Sequence, residues 1–422
     1  MARGMLSLPA CNAFAEIGPV TEDYAVESAC RRPPEPMESP DSGVLAMKIG
    51  LVGCGFVADL YMRSLEAHPE LELVCAADRN PARAEAFAAH WSVPTVDSVD
   101  ALLADASISL IVNLTNPSEH YTVNRQCLEA GRHVYCEKPL AMDFEQAREL
   151  VDLAASRGLQ LSGAPCSLLS ESAQTLWKAI RDQRVGPIRL VYAEMDDDFV
   201  PKAPVHKWRS ESGAPWPWKD EYEVGCTLEH AGYYLTWLAA FFGPAQSVTA
   251  FSSVQVPDKG QGALDVQTPD FSVACIQFPN NVVCRLTCSI VAPHDHRLTV
   301  VGDEGVLTLE DCWFNRAPIR LRKRWVIRRK MLLAPLARKL LLKNPTAGQT
   351  SRRGAAAMDF ALGIAELAQA IETGRAPLLN AEFSLHVTEL ALAIQAAGDQ
   401  GGRYELQTQF TPLTPPAWVA QA

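Results

Sequence analysis

The sequence predicts an α/β domain on a parallel sheet, followed by an α+β domain with an open-faced, largely antiparallel sheet. Three observations lead there. From Met47 to about Ala164, short apolar runs alternate with helical segments, the pattern of successive βαβ units. Beyond Ala164 the runs lengthen and apolar residues alternate with polar ones, as in a sheet with one face buried and the other open. The chain has 422 residues, more than one compact core usually holds, so two domains are expected.

Taken in order, Lys48–Val52 reads as a strand that enters Gly53-Cys54-Gly55-Phe56-Val57-Ala58, and Asp59–His68 as the helix that follows. Leu71–Ala77 is a strand ending at Asp78, and Pro81–His90 a helix with proline in its first turn, where no N–H is needed. Ser109–Leu114 is a buried strand, Tyr121–Ala130 a helix and Arg132–Cys136 another strand. In the second half a helix at Glu171–Arg184 precedes alternating strands at Ile188–Met195, Ser247–Val256, Phe271–Phe278, Val282–Val291 and His296–Val301. Asp359–Gly374 and Phe383–Ala397 read as closing helices. The expected organisation is a disordered extension over 1–46, a dinucleotide-binding domain over 47–165, and a substrate and oligomerisation domain over 166–415. Met47 directly precedes the first strand and is an alternative translation start, which mass spectrometry of the native N-terminus would decide.

Charge is unevenly spread. The chain holds 38 Lys and Arg against 49 Asp and Glu, a net of −11. Between Arg316 and Arg353 there are 13 Lys and Arg and no Asp or Glu, which leaves 25 basic against 49 acidic residues elsewhere. So acidic a body is a poor nucleic-acid binder. No apolar run reaches the 18 or so residues that span a bilayer, and the N-terminal stretch lacks the pattern of a secretory signal. Twelve scattered Cys without a CxxC pair read as reduced, mostly buried thiols of a cytoplasmic protein. Cys226 and His230 share i,i+4 spacing, but no third and fourth ligand stand at recognisable spacing, so no metal site is expected.

The chemistry concentrates at loops after strands. Gly53-x-Gly55-x-x-Ala58 joins a strand to a helix, and Asp78 closes the next strand 25 residues after Gly53. The first glycine allows the tight turn, the second lets a pyrophosphate approach the backbone, and Ala58 permits close packing; the helix N-terminus attracts the phosphates. This is the Rossmann dinucleotide arrangement. Asp78 would bind the ribose hydroxyls and repel a 2′-phosphate, favouring NAD; Arg79 beside it would accept that phosphate, which leaves NADP open. Glu137-Lys138-Pro139 follows the last strand of this half, at the sheet edge where such folds bind ligands. A lysine there can exchange a proton beside a nicotinamide ring. The plain alternative is a surface lysine paired with Glu137.

These motifs occur together with Thr115-Asn116-Pro117-x-x-His120 and Gly131-x-His133-Val134, in the order and spacing of one family. The sequence resembles the glucose–fructose oxidoreductase / inositol dehydrogenase / rhizopine catabolism (Gfo/Idh/MocA) superfamily over about residues 47–395. The resemblance implies NAD(P)-dependent redox chemistry on a hydroxyl-bearing carbon of a sugar or sugar derivative, and a homo-oligomer, dimer or tetramer. It makes Lys138 the catalytic lysine, with a peptide before Pro139 that is often cis. It also implies that Thr115, Asn116, His120 and Glu137 line the cofactor, with Gly53, Gly55, Phe56 and Val57 of the loop beneath it. Lys207-Trp208-Arg209 matches a Trp-Arg element near the cofactor in such enzymes, which brings in Arg209.

A second block departs from the family pattern. Aligned on Gly232, His230 stands where the family usually has Asp, and Tyr234 where it usually has His. One helical turn apart, both would face one cleft. His230 would then act as acid–base group and Tyr234 as hydrogen-bond donor; the alternative is that Tyr233, Tyr234 and Trp237 form the packed face of a helix. Glu229 is a weaker candidate, because adjacent helix residues diverge. The altered block also motivates a second class of function, a non-catalytic dinucleotide-binding sensor or scaffold. The basic segment 316–353 admits three readings: peripheral contact with an anionic membrane surface, contact with an acidic substrate (such as a nucleotide-linked sugar) or subunit, or a solvated insertion.

Overall fold

The computed structural model describes residues 46–342 and 354–420, apart from positions 261 and 263. The expected extension over 1–46, all but its last residue, and positions 343–353 of the basic segment lie outside the described residues. The first half runs β1 (Met47–Val52), α1 (Ala58–Leu65), β2 (Leu71–Ala77), α2 (Pro81–Trp91), β3 (Thr95–Val96), α3 (Val99–Leu103), β4 (Leu110–Asn113), α4 (His120–Glu129), β5 (His133–Cys136), α5 (Phe144–Ser156) and β6 (Leu161–Gly163). The strands form one parallel sheet in the order β3-β2-β1-β4-β5-β6.

Such a sheet is covered on both faces, which explains why its strands are continuous apolar runs. In β4, Leu110 and Val112 join one buried cluster with Ile49, Leu51 and Tyr135, while Ile111 joins the opposite one with Val134, Leu128 and Leu150. Truncating a side chain such as Ile111, fully buried, to alanine should cost about 2–5 kcal/mol. The helices start where capping residues stand: the Asn80 side chain accepts from Ala82 and Arg83 N–H ahead of Pro81, and Asp143 from Gln146 N–H.

The second half comprises α6 (Glu171–Arg181), β7 (Ile188–Phe199), α7 (Trp218–Val224), α8 (Gly232–Phe242), β8 (Ser247–Ser253), β9 (Phe271–Gln277), β10 (Val283–Ser289), β11 (Val291–Asp295), β12 (Leu298–Gly302), β13 (Gly305–Leu309), β14 (Ile319–Ile327), β15 (Lys330–Leu333), β16 (Arg338–Leu340), α9 (Leu362–Thr373), α10 (Ala381–Gln395) and a short β17 (Arg403–Glu405). Its sheet runs β15-β14-β13-β12-β7-β10-β9-β8-β17, with β11 against β7 and β16 against β14. Every pairing is antiparallel except β7 with β10. The alternation is clean: Val191, Ala193 and Met195 of β7 are buried beneath helices, whereas Leu190 and Tyr192 are exposed on the outer face.

Two features were not foreseen. β7 continues past Met195 and carries Asp196, Asp197 and Asp198 into the sheet. The described part of the basic segment forms β14, β15 and β16, leaving Trp325, Val326, Ile327, Met331 and Leu336 exposed. Among the described residues no helix is long and apolar enough to cross a membrane. The described cysteines are free, and all but Cys275 are buried.

Candidate active site

The glycine loop after β1 is shaped by its neighbours. Gly53 N–H donates to Ala77 O at 2.8 Å, and its φ is +100°. A Cβ there would stand 2.7 Å from the Leu114 carbonyl, so only glycine fits. At Gly55 a Cβ would meet nothing within 4 Å, so the loop is open on the side where a pyrophosphate would lie against the start of α1. Phe56 and Val57 are half-buried at that helix start. Asp78 is buried and holds the loop: one carboxylate oxygen accepts from Cys54 N–H at 2.9 Å, the other from Asn80 N–H at 2.8 Å. Arg83 lies 3.6 Å from the same carboxylate, whereas Arg79 points to solvent and pairs with Glu119 at 3.1 Å.

The turn after β4 is held by amides. Asn113 Oδ1 accepts from Thr115 N–H at 3.1 Å and from its hydroxyl at 2.7 Å, while Asn113 Nδ2 donates to Asn124 Oδ1 at 2.8 Å. Asn116 is half-buried and stands beside Asp220 of α7. His120 is buried, its ring nitrogens 2.6 Å from Pro139 O and 2.9 Å from Thr115 O. A neutral imidazole donates to one of these carbonyls and an imidazolium to both. Its ring therefore clamps the Thr115 turn to the Lys138–Pro139 turn from below.

The peptide between Lys138 and Pro139 is cis. Glu137 faces inward, accepting from the Tyr61 hydroxyl at 2.6 Å and from Lys138 N–H at 3.1 Å. Lys138 Nζ donates to Glu229, which comes from the second half of the chain. Burial alone would push the ammonium pKa down, but Glu229, then Glu221 and Glu137, outweigh it and hold the pKa above its ordinary value. Lys138 is therefore a cation across the physiological range. Burial, and then the Glu229 carboxylate, push Glu221 well above the usual carboxylate range.

Glu229 and His230 sit in a π-helical turn, Thr227–Ala231, that runs into α8. A π turn carries an extra residue and shifts the phase of the helix face. Both side chains consequently reach the cleft: Glu229 contacts Lys138, and His230 Nδ1 lies 3.8 Å from Asp197 Oδ2, with Nε2 4.0 Å from Glu221. Burial holds the His230 pKa below its ordinary value against the pull of Asp197.

The expectation that Tyr234 shares the cleft with His230 does not match the geometry. Past the π turn, Tyr234 is fully buried and its hydroxyl donates to the His296 carbonyl, so the packed-face alternative describes it. Arg209 is exposed, with Nη1 donating to the carbonyls of His206 and Trp208 at 3.0 and 2.9 Å. Its loop docks on α1 through Ser212 N–H to Asp59 at 2.7 Å. Cys226 Sγ faces the Cys288 carbonyl at 3.7 Å and is not brought to a common point with His230. Tyr61, Glu221 and the Lys138 partnership of Glu229 escaped the sequence reading. The π turn leaves no local pattern, and Tyr61 looks like any aromatic on an amphipathic helix.

A glycine loop between the first strand and first helix of a parallel sheet ordered 3-2-1-4-5-6, with an inward aspartate ending the second strand, defines a dinucleotide-binding Rossmann fold. Comparison with known families agrees. A family model described as "Oxidoreductase family, NAD-binding Rossmann fold" matches residues 47–164, and one described as "GFO/IDH/MocA C-terminal domain" matches 173–308. The chain belongs to the Gfo/Idh/MocA family and is an NAD(P)-dependent oxidoreductase. Among curated proteins it is 26% identical over 275 residues to trans-1,2-dihydrobenzene-1,2-diol dehydrogenase of Mus musculus, covering 64% of this chain and 76% of the relative. Among solved structures it is similar to the WlbA dehydrogenase from Bordetella pertussis in complex with NADH and UDP-GlcNAcA (TM-score 0.66, 20% identity, 86% of this chain and 99% of that one). It is also similar to levoglucosan dehydrogenase in complex with NADH and levoglucosan (TM-score 0.71, 17% identity, 86% and 100%). At these identities the structural likeness speaks for the fold alone.

Proposed function

We propose that the protein transfers a hydride between nicotinamide and a hydroxyl-bearing carbon of a sugar or sugar derivative, with Lys138 governing the substrate oxygen. The observation that carries this reading is a half-buried, charged lysine at the carboxyl edge of the parallel sheet, held by the buried Glu229 from the other half of the chain. The dinucleotide would rest on Gly53, Gly55, Phe56 and Val57, with Asp78 toward its ribose and Thr115, Asn116 and Glu137 along its nicotinamide half. When bound, it accepts or supplies the hydride.

The protein residues do the rest. The Lys138 ammonium donates a hydrogen bond to the reacting oxygen and stabilises the negative charge that builds there; in reduction it gives that oxygen its proton, and in oxidation the hydroxyl proton passes to Nζ as Nζ gives one to Glu229. Glu229 and Glu137 keep it charged and aimed. His230 stands beside them as a hydrogen-bonding partner for a neighbouring hydroxyl. Two of the similar structures are complexes with UDP-GlcNAcA and with levoglucosan, which supports a sugar-type substrate. Glu229, Glu221 and Glu137 crowd the lysine, and the basic strand β14 lies three strands from β7, roughly 14 Å away at about 4.8 Å per strand. A neutral polyol end therefore suits the reacting position better than an anionic one. Asp78 supports NAD over NADP, and the exposed Leu190, Tyr192 and Phe251 on the outer sheet face support a homo-oligomer, which light scattering would test.

A non-catalytic sensor has no use for a desolvated lysine–glutamate pair, whose burial is costly unless it does something. Lys138→Ala should retain dinucleotide binding, read by quenching of tryptophan fluorescence, and lose turnover on a sugar panel by 100-fold or more. Equal turnover in the variant would overturn the assignment.

A further inference from the structure

Deep beside the cleft, β7 and β11 bring together one carboxylate and two imidazoles from distant parts of the chain. The strands pair antiparallel, with Ala292 opposite Asp198 and Asp295 opposite Asp196, so Pro293 and His294 together oppose the single Asp197. A bulge of this kind re-aims side chains. His294 of β11 and His296, one residue past the end of that strand, both turn toward Asp197. His294 Nδ1 is 3.6 Å from Asp197 Oδ1, and His296 Nε2 is 3.9 Å from the same oxygen. One donor atom from each of the three residues falls within 4.8 Å of the others.

His296 makes the cluster unusual. It is 1% exposed, and among the described residues neither ring nitrogen finds a hydrogen-bond partner. A buried imidazole left this way loses its hydration without compensation. Its ring is nonetheless firmly held: Trp313 packs edge-on at 4.4 Å, and the Tyr234 hydroxyl anchors its carbonyl. On the far side, Nδ1 lies 3.6 Å from Asp311 Oδ1.

We propose that Asp197, His294 and His296 form a binding site for one divalent transition-metal ion, with Asp311 as the outer partner of His296. Separations of 3.6 and 3.9 Å are too long for hydrogen bonds. They resemble the edges of a coordination polyhedron, about 3.4 Å for a tetrahedron with metal–ligand distances of about 2.1 Å. Two imidazoles and one carboxylate suit zinc, iron, cobalt or nickel rather than magnesium or calcium. Asp311 beside Nδ1 would fix the tautomer that presents Nε2 to the ion, the usual carboxylate–histidine–metal relay. Three protein ligands leave coordination positions open. Because Asp197 also lies 3.8 Å from His230, those positions border the cleft that holds Lys138. The sequence expectation of no metal weighed Cys226 and His230 and overlooked the His294-x-His296 pair.

The site stands or falls independently of the redox reading, because its test is metal binding. Full-length, tag-free protein is stripped with chelator and titrated with Co²⁺, following visible absorption and competition against a chromophoric chelator. One Co²⁺ per chain is expected, with visible bands of a nitrogen–oxygen ligand set. His294→Ala, at a partly exposed position, and Asp197→Asn should each weaken binding at least tenfold while leaving circular dichroism melts close to wild type. His296→Ala is less informative because the residue is buried. The proposal is overturned by absence of saturable Co²⁺ binding, or by binding that both variants leave unchanged. A thiolate charge-transfer band would also overturn this ligand set, placing the ion on Asp311 and Cys312 instead.

Discussion

Raising the pH from 6 to 9 should loosen the packing behind Glu137, through His68. This histidine is buried after α1, its Nε2 3.0 Å from Asp359 and its Nδ1 2.9 Å from Glu70. Burial by itself would push the imidazole pKa down. The Asp359 carboxylate, and then Glu70, outweigh burial and raise it to about 8. In the unfolded chain the value is about 6.5. Between these values the folded state binds more protons than the unfolded one, so the contribution is complete below about pH 6.5 and disappears as the pH rises through 8. A shift of roughly 1.5 units at about 1.4 kcal/mol each makes this about 2 kcal/mol. The consequence reaches the site, because Phe360 next to Asp359 packs on Tyr61 at 5.3 Å, and Tyr61 holds Glu137. Urea midpoints of wild type and His68→Asn, followed by tryptophan fluorescence at pH 6 and pH 9, give the stability difference at each pH. That difference should shrink by about 2 kcal/mol at the higher pH. Subtraction removes the opposite contribution of His386, held neutral to about pH 4 by burial, which weakens the fold only as the pH falls below about 6.5. A difference that stays constant within about 0.5 kcal/mol would refute the charged His68–Asp359 pair.

Other consequences concern the site directly. Asp78→Ala removes the carboxylate that would accept the ribose hydroxyls and repel a 2′-phosphate, so the ratio of NADP to NAD dissociation constants should fall at least tenfold in fluorescence titrations; an unchanged ratio would mean Asp78 serves only the glycine loop. Tyr234→Phe deletes a buried hydroxyl and leaves the His296 carbonyl unpaired, which should cost about 1–3 kcal/mol of stability. Turnover should change less than threefold at a temperature where the variant is folded, and a 100-fold loss would restore Tyr234 as a proton donor. Glu229→Gln removes the charge that most favours the Lys138 cation, so the fall of turnover at high pH should set in at a lower pH than in the wild type; a pH–rate profile identical to wild type would assign Lys138's charge to Glu221 and Glu137.

Much of the first half was legible because its signals are contiguous. Gly53–Ala58 and Glu137–Pro139 each act within a few residues, and the strands beneath them are apolar runs whose direction follows from the intervening helices. The second half was legible as an alternating sheet, yet β7 runs four residues beyond its expected end at Met195. Those added residues carry Asp197. The basic segment showed apolar residues among cations without a clean period, and packing against β13 is what turned its start into β14. Asp78 shows the limit of motif reading in another way: the motif assigns its carboxylate to a ribose, and the fold also ties that carboxylate to two backbone N–H groups.

By itself the sequence determined the order of βαβ units, the dinucleotide loop and the placement of Lys138 at a strand end, because local periodicity and turn chemistry dictate these. Only the tertiary structure decided what Lys138 meets. Glu229, 91 residues away, reaches it through a π turn whose phase no residue pattern announces. Likewise Asp197 and the two histidines near 295 converge only because β7 and β11 pair across a bulge. Register between distant strands is set by packing and backbone hydrogen bonds of the whole sheet, and a linear sequence does not display either.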